Sequence, residues 1–94
     1  MATLFVRHTV EDYGKWKTSF DEHSSFRSDN GSKGGKVFRS VNDPNELFVL
    51  LEWESVEGIQ KFSQSDDLKK VMKEAGVIGM PDIHILEEVS TTSK

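Results

Sequence analysis

The sequence predicts an α+β domain with the element order βαββαβ. Short runs rich in β-branched and aromatic residues recur four times, and the stretches between them repeat apolar residues at helical spacing. Gly, Pro, Asn, Asp and Ser gather at the junctions. Leu, Ile, Val and Phe make up 25 of 94 residues, above the roughly 20% below which disorder is expected. A chain this short has room for one core, so residues 1–94 form a single domain.

Leu4 to Val10 reads as the first strand. Glu11 and Asp12 then offer an N-cap and acidic first-turn residues to a helix. Tyr13, Trp16, Phe20, His23 and Arg27 follow at spacings of three and four, so one helix presents them on one face. Ser28 to Lys36, with three glycines and no large apolar residue, reads as a loop. A strand from Val37 to about Val41 is followed by the turn Asn42-Asp43-Pro44-Asn45, which closes a hairpin onto a strand from Leu47 to Trp53.

That third strand is apolar on both faces, so something must cover each side. Ser55 caps a short helix carrying Val56, Ile59 and Phe62. Ser65 caps another, with Leu68, Val71, Met72 and Ala75 on one stripe and Gly76 as the residue past its end. Pro81 precedes a last strand, Ile83 to Val89, and residues 90–94 read as a flexible tail. The arrangement expected is a ferredoxin-like antiparallel sheet with its helices on one face. The bare second face predicts a homodimer.

Acidic residues outnumber basic ones 16 to 12, for a net charge of −4, spread without blocks. That disfavours a nucleic-acid or anionic-membrane partner. The chain has no cysteine, hence no disulfide, thiol nucleophile or cysteine metal site. Charge follows the first apolar residues too soon for a secretory segment, and no apolar run is long enough to span a bilayer. The expectation is a soluble, cytoplasmic protein.

Several motifs fail on inspection. Gly31 to Lys36 departs from a phosphate loop in its spacing, and Val37 stands where Ser or Thr belongs. Asn30-Gly31-Ser32 spells a glycosylation acceptor, idle without secretion. RNA-recognition domains share the element order, but the third strand lacks their basic-Gly-aromatic signature. His8, His23 and His84 form no metal-ligand spacing, so no metal site is expected.

The first helix is the most informative segment. Its stripe is aromatic at Tyr13, Trp16 and Phe20 and then turns polar at His23 and Arg27, where packing alone would continue with Leu, Met or Ala. Two readings stand at this point. Either the imidazole and guanidinium face a ligand, as proton shuttle and oxyanion partner, or the helix end emerges into solvent beside Asp21 and Glu22. On the strands, alternation places His8 on one face with Leu4, Val6 and Val10, and Trp53 on one face with Leu47, Val49 and Leu51. If both faces look toward the helices, His8 and Trp53 join Trp16, His23 and Arg27 around one concavity. Trp53 is otherwise a core residue.

The landmarks Tyr13-x-x-Trp16-x-x-x-Phe20, Leu50-x-Glu52-Trp53-x-Ser55, Phe62-x-x-Ser65 and Leu86-Glu87-Glu88-Val89, in this order of elements, resemble the antibiotic-biosynthesis-monooxygenase type of dimeric α/β barrel over nearly the whole chain. The resemblance implies two ferredoxin-like protomers joined through their sheets, with a small hydrophobic or aromatic molecule between sheet and helices in each. It implies activities that range from cofactor-free oxidation of aromatic polyketides to haem degradation and polyketide cyclisation. The haem degraders' axial His and their Trp fall here on Met72 and Phe62, and a His common near Phe62 in other members is missing, which disfavours haem.

The function expected is therefore binding of a small molecule and cofactor-independent monooxygenation of a phenolic or polycyclic aromatic substrate. His23 is the base and Arg27 the oxyanion partner, with Trp16, Trp53 and His8 lining the substrate. The alternatives are a ligand-binding or regulatory dimer without catalysis, and a structural dimer whose interior is filled by side chains.

Overall fold

The first strand, β1 (Ala2–Val10), alternates strictly: Ala2, Leu4, Val6, His8 and Val10 are buried, and the residues between them are not. The computed structural model of the chain describes residues 2–93. Asp12 caps the next helix, its carboxylate accepting from the Lys15 N–H at 2.9 Å; Glu11 lies outside the helix rather than in its first turn.

The single helix expected over Tyr13 to Arg27 is two. Helix α1 (Tyr13–Glu22) ends at His23, and α2 (Ser24–Asp29) starts from the same residue. The His23 backbone, at φ −91° and ψ 7°, leaves the α-helical geometry. Its N–H donates back to the Ser19 and Phe20 carbonyls at 3.2 and 3.3 Å, a tightened last turn that uses up free carbonyls.

The glycine-rich segment is also corrected. Strand β2 (Ser32–Arg39) begins inside the expected loop and ends before Val41, which is almost wholly exposed. It pairs antiparallel with β3 (Glu46–Trp53), and the Ser40 N–H donates to the Glu46 carbonyl at 3.0 Å beside the expected turn. At Gly35 a Cβ would run into the Leu50 carbonyl, so glycine permits close pairing here instead of marking a loop.

Helices α3 (Val56–Ser63) and α4 (Asp66–Glu74) start at Ser55 and Ser65, whose hydroxyls accept from Gly58 N and Leu68 N, each at 3.2 Å. Gly76, with φ +85°, turns the chain out of α4. Its carbonyl accepts from the Glu11 N–H at 2.9 Å, which ties the end of α4 to the end of β1.

The last strand, β4 (Val77–Glu87), starts six residues earlier than expected and runs through Pro81. It can do so because its pairing with β1 is interrupted: Arg7 faces Asp82 and Thr9 faces Ile78, leaving Gly79, Met80 and Pro81 opposite His8 alone. Proline is tolerated at such a bulge because no ladder N–H is required there. Residues 88–93 are outside regular structure, and the last residue of the expected tail, Lys94, lies outside the described residues.

The antiparallel sheet has the order β2-β3-β1-β4, the ferredoxin-like arrangement expected. The core lies between one face and the helices: Leu4, Val10, Trp16, Leu47, Trp53 and Ile59 are each at most 4% exposed, and full burial of such side chains contributes about 1.5–3 kcal/mol apiece. The other face carries Phe5, Phe38, Phe48, Leu50 and Leu86, with Phe5 tilted against Phe48 and His84 at ring separations of 6.3 and 6.0 Å. Arg7 bridges Glu46 at 2.6 Å and Asp82 at 3.1 Å on that face. Among the described residues, no helix is long and apolar enough to cross a membrane.

Candidate functional site

The stripe of α1 meets the helix-facing side of β1 as a run of ring contacts. The His8 ring lies 5.5 Å from Trp16, Trp16 stacks on Phe20 at 4.8 Å, and the Arg27 guanidinium carbon sits 3.7 Å above the Phe20 ring centre. Arg27 lies in α2, beyond the break at His23, seven residues after Phe20. Arg27 also donates from Nη1 to the Phe20 carbonyl at 2.7 Å, a second donor to an oxygen that already accepts from the His23 N–H. Two aromatic rings and a cation thus follow one another along one wall.

Behind this wall is a cavity with about 70 Å³ open to the centre of a water molecule. Leu4, Val6, Val49, Leu51 and Ile83 form its sheet side. Phe62, Leu68, Val71, Met72 and Ala75 close it from α3, α4 and the end of α4. The polar residues at its margin are His8, His23, Arg27 and Ser63. The Ser63 hydroxyl is already committed, donating to the Ile59 carbonyl at 2.9 Å.

The histidines are in different settings. His8 is only 7% exposed, and neither ring nitrogen has a hydrogen-bond partner among the described residues. Burial alone pushes its pKa down to about 4, so the imidazole is neutral near pH 7. His23 is half-buried, 5.3 Å from the Phe26 ring, with no side-chain hydrogen bond to another described residue. Arg27 has its pKa lowered by burial, partly offset by Asp21. Among the described residues no carboxylate forms an ion pair with it; the ion pairs present involve Arg7, Lys17 and Lys33.

Of the five residues singled out in the sequence, His8, Trp16, His23 and Arg27 come together on this cavity and Trp53 does not. Trp53 is fully buried, tilted against Phe62 at a ring separation of 4.9 Å and closed in where Gly31 and Gly58 approach its ring. The reason is register. β1 and β3 run antiparallel, so Trp53 pairs with Ala2, while Leu47 pairs with His8. Six residues of strand, about 20 Å, separate the two.

Phe20, Phe62 and the α4 stripe are lining residues that sequence reasoning left as packing. Their periodicity showed which face is apolar, yet nothing in it distinguishes a packed face from one left partly open. His84, the third histidine, lies on the opposite side of the sheet against Phe5. Among the described residues no cluster of three or more His, Cys, Asp or Glu side chains could hold a metal ion.

Two surface grooves flank the cavity. One shares Phe20, Arg27 and Leu51 with it and adds Ser24, Ser28 and Lys33. The other shares Ser63, Leu68, Met72 and Ile83 and adds Val77, Met80 and Pro81. A molecule can therefore approach from a polar side or from an apolar one.

The same fold occurs in known proteins. The cofactor-independent oxygenase SnoaB from Streptomyces nogalater superposes with a TM-score of 0.78 at 12% identity, over 99% of this chain and 97% of its own. A Bordetella bronchiseptica protein assigned to the antibiotic biosynthesis monooxygenases superposes at 0.77 with 18% identity, covering 95% of this chain and 97% of its own. A third, from Caulobacter crescentus CB15 and assigned in the same way, gives 0.73 at 17% identity over 95% and 90%. No curated protein is significantly similar in sequence. The sequence profile described as antibiotic biosynthesis monooxygenase matches residues 6–74, from within β1 to the end of α4. The chain belongs to the antibiotic biosynthesis monooxygenase family.

Proposed function

We propose that the protein binds a small aromatic molecule in the helix–sheet cavity and oxidises it with molecular oxygen, without a cofactor. The observation that carries this reading is one apolar cavity bordered by the His23 imidazole and the Arg27 cation, which have, respectively, no side-chain hydrogen bond and no ion pair among the described residues. Such a reaction needs a base to make a substrate carbanion and a donor to hold the neighbouring oxyanion. For an activated ring CH2, His23 takes one proton and Arg27 holds the enolate or phenolate oxygen. The carbanion reduces O2 and forms a C–O bond, and the resulting hydroperoxide loses water to leave a ketone. One oxygen atom enters the product and the other leaves in water, so no external reductant is required.

Size favours the smaller members of the substrate class. The cavity, at about 70 Å³, is about half the ~150 Å³ of an engineered apolar cavity that admits benzene. A single phenolic ring enters with modest yielding of a flexible side chain such as Met72, whereas a polycycle must also use a flanking groove. The test is oxygen uptake with a phenolic or anthrone-like substrate. His23→Ala is expected to lower the rate by about 10²–10⁴-fold, and an unchanged rate overturns the assignment.

A ligand-binding module without turnover is the second reading. It is favoured by Arg27 already having the Phe20 carbonyl and ring as partners. It predicts a raised melting temperature with ligand and no oxygen uptake.

We assign the open sheet face to a homodimer. Phe38 and Leu86 there are 47% and 44% exposed, beside Phe5, Phe48 and Leu50, and contiguous apolar surface of this kind marks an interaction site. Sedimentation should give a dimer that Leu50→Asp dissociates; a monomeric native chain refutes the assignment. A cysteine-free chain fits a reducing cytoplasm.

A further inference from the structure

His8 breaks the rule that its own strand follows. The helix-facing positions of β1 are otherwise Ala2, Leu4, Val6 and Val10, all buried and aliphatic. At position 8 an imidazole occupies the same face, 7% exposed, with Nδ1 and Nε2 both lacking a partner among the described residues. Buried polar atoms are nearly always paired, and leaving one unpaired costs stability. An aliphatic side chain would avoid that cost.

The surroundings supply nothing for it. Leu47 lies across on β3, and the Trp16 ring lies 5.5 Å away. On the other flank, β4 bulges at Gly79, Met80 and Pro81 where a regular strand would face His8. Trp53 Nε1 is likewise unpaired, but it lies outside the cavity lining, where no ligand can meet it. His8 lines the cavity.

The imidazole is neutral, so one nitrogen donates and the other accepts. Its natural complement is a hydroxyl, which also does both. Arg27 is separated from His8 along the cavity wall by two stacked rings, Trp16 and Phe20. A flat molecule against those rings therefore meets a cation toward one end and a neutral imidazole toward the other.

We infer that His8 is a specificity-determining residue, which reads a hydroxyl on the end of the ligand remote from Arg27, so that the preferred ligand is an aromatic ring with oxygen substituents at both ends. This rests on the reading of the cavity as the ligand site, and it assigns His8 no part in proton abstraction.

Hydroquinone and 4-methylphenol test it, because they differ only in a hydroxyl against a methyl of similar size. Their binding is measured by calorimetry without oxygen, on the native chain, His8→Leu and His8→Gln. Transfer into an apolar cavity alone predicts tighter binding of the methyl compound. The expected result is the opposite: hydroquinone binds the native protein at least about tenfold more tightly. His8→Leu removes or reverses that preference, and His8→Gln keeps part of it. His8→Val serves if leucine overpacks the site, since Val6 and Val10 occupy equivalent positions.

Equal or weaker binding of hydroquinone overturns the inference and leaves the cavity as a ligand site, with water as the partner of His8. A preference that survives His8→Leu also overturns it, since another group then reads the hydroxyl. If neither compound binds, the cavity reading falls together with the inference.

Discussion

Two runs of ring contacts cross the space between sheet and helices, and they differ in what they enclose. One runs His8–Trp16–Phe20–Arg27, and all four members border the cavity. The other runs Trp53–Phe62–Phe26–His23, with successive ring separations of 4.9, 5.9 and 5.3 Å, and meets the cavity only at Phe62 and His23. Each begins on a strand with a ring nitrogen unpaired among the described residues and ends on a polar residue near the break between α1 and α2. A run of ring contacts by itself therefore does not make a site. The difference lies at the strand ends: backbone at Gly31 and Gly58 closes over Trp53, while β4 bulges beside His8.

The largest expected effect separates the two runs by stability. Trp53→Ala should cost about 3–5 kcal/mol, because the surrounding backbone cannot collapse into the hole. Trp16→Ala should cost measurably less, since Trp16 already has a void on one side and forgoes contacts there. Urea unfolding of both variants gives the two values; equal losses would mean that the cavity behaves as packed core.

A smaller effect concerns acid. Burial holds the pKa of His8 at about 4 in the folded chain, against an ordinary value of 6.5, so the native state binds fewer protons than the unfolded state between those values. Stability is therefore lost as pH falls from about 6.5 to about 4, by about 3 kcal/mol in all. His8→Leu should remove this part of the acid sensitivity and leave that of the carboxylates. Urea midpoints at pH 7, 5.5 and 4.5 measure it, and an unchanged slope in the variant would mean that His8 has a partner when folded.

Much of the fold was legible because its signals are local. Asp12, Ser55 and Ser65 each cap the helix they precede, and Gly76 ends α4. Period-two alternation grouped Leu4, Val6, His8 and Val10 on one face of β1, the face that is buried, whereas β3 reads as apolar on both faces. The misread segments are those in which a local signal meets a tertiary partner. Gly34 and Gly35 resemble a loop until β3 lies beside them, and Pro81 resembles a strand boundary until β4 bulges. The bend at His23 has no breaker residue, so periodicity ran straight through it.

The sequence by itself determined the order of strands and helical regions and which residues share a stripe, His8 on β1 and Trp16, His23 and Arg27 after it, because propensity, capping and periodicity act within a few residues. Which of these residues meet was decided only by the tertiary structure. Strand register set His8 and Trp53 at opposite ends of the sheet, since an antiparallel pair aligns the start of one strand with the end of the other. The helix breaks at His23, and Arg27 beyond the break rests over the Phe20 ring. Whether a stripe packs solid or leaves a cavity depends on how two distant surfaces fit, and no local pattern carries that information.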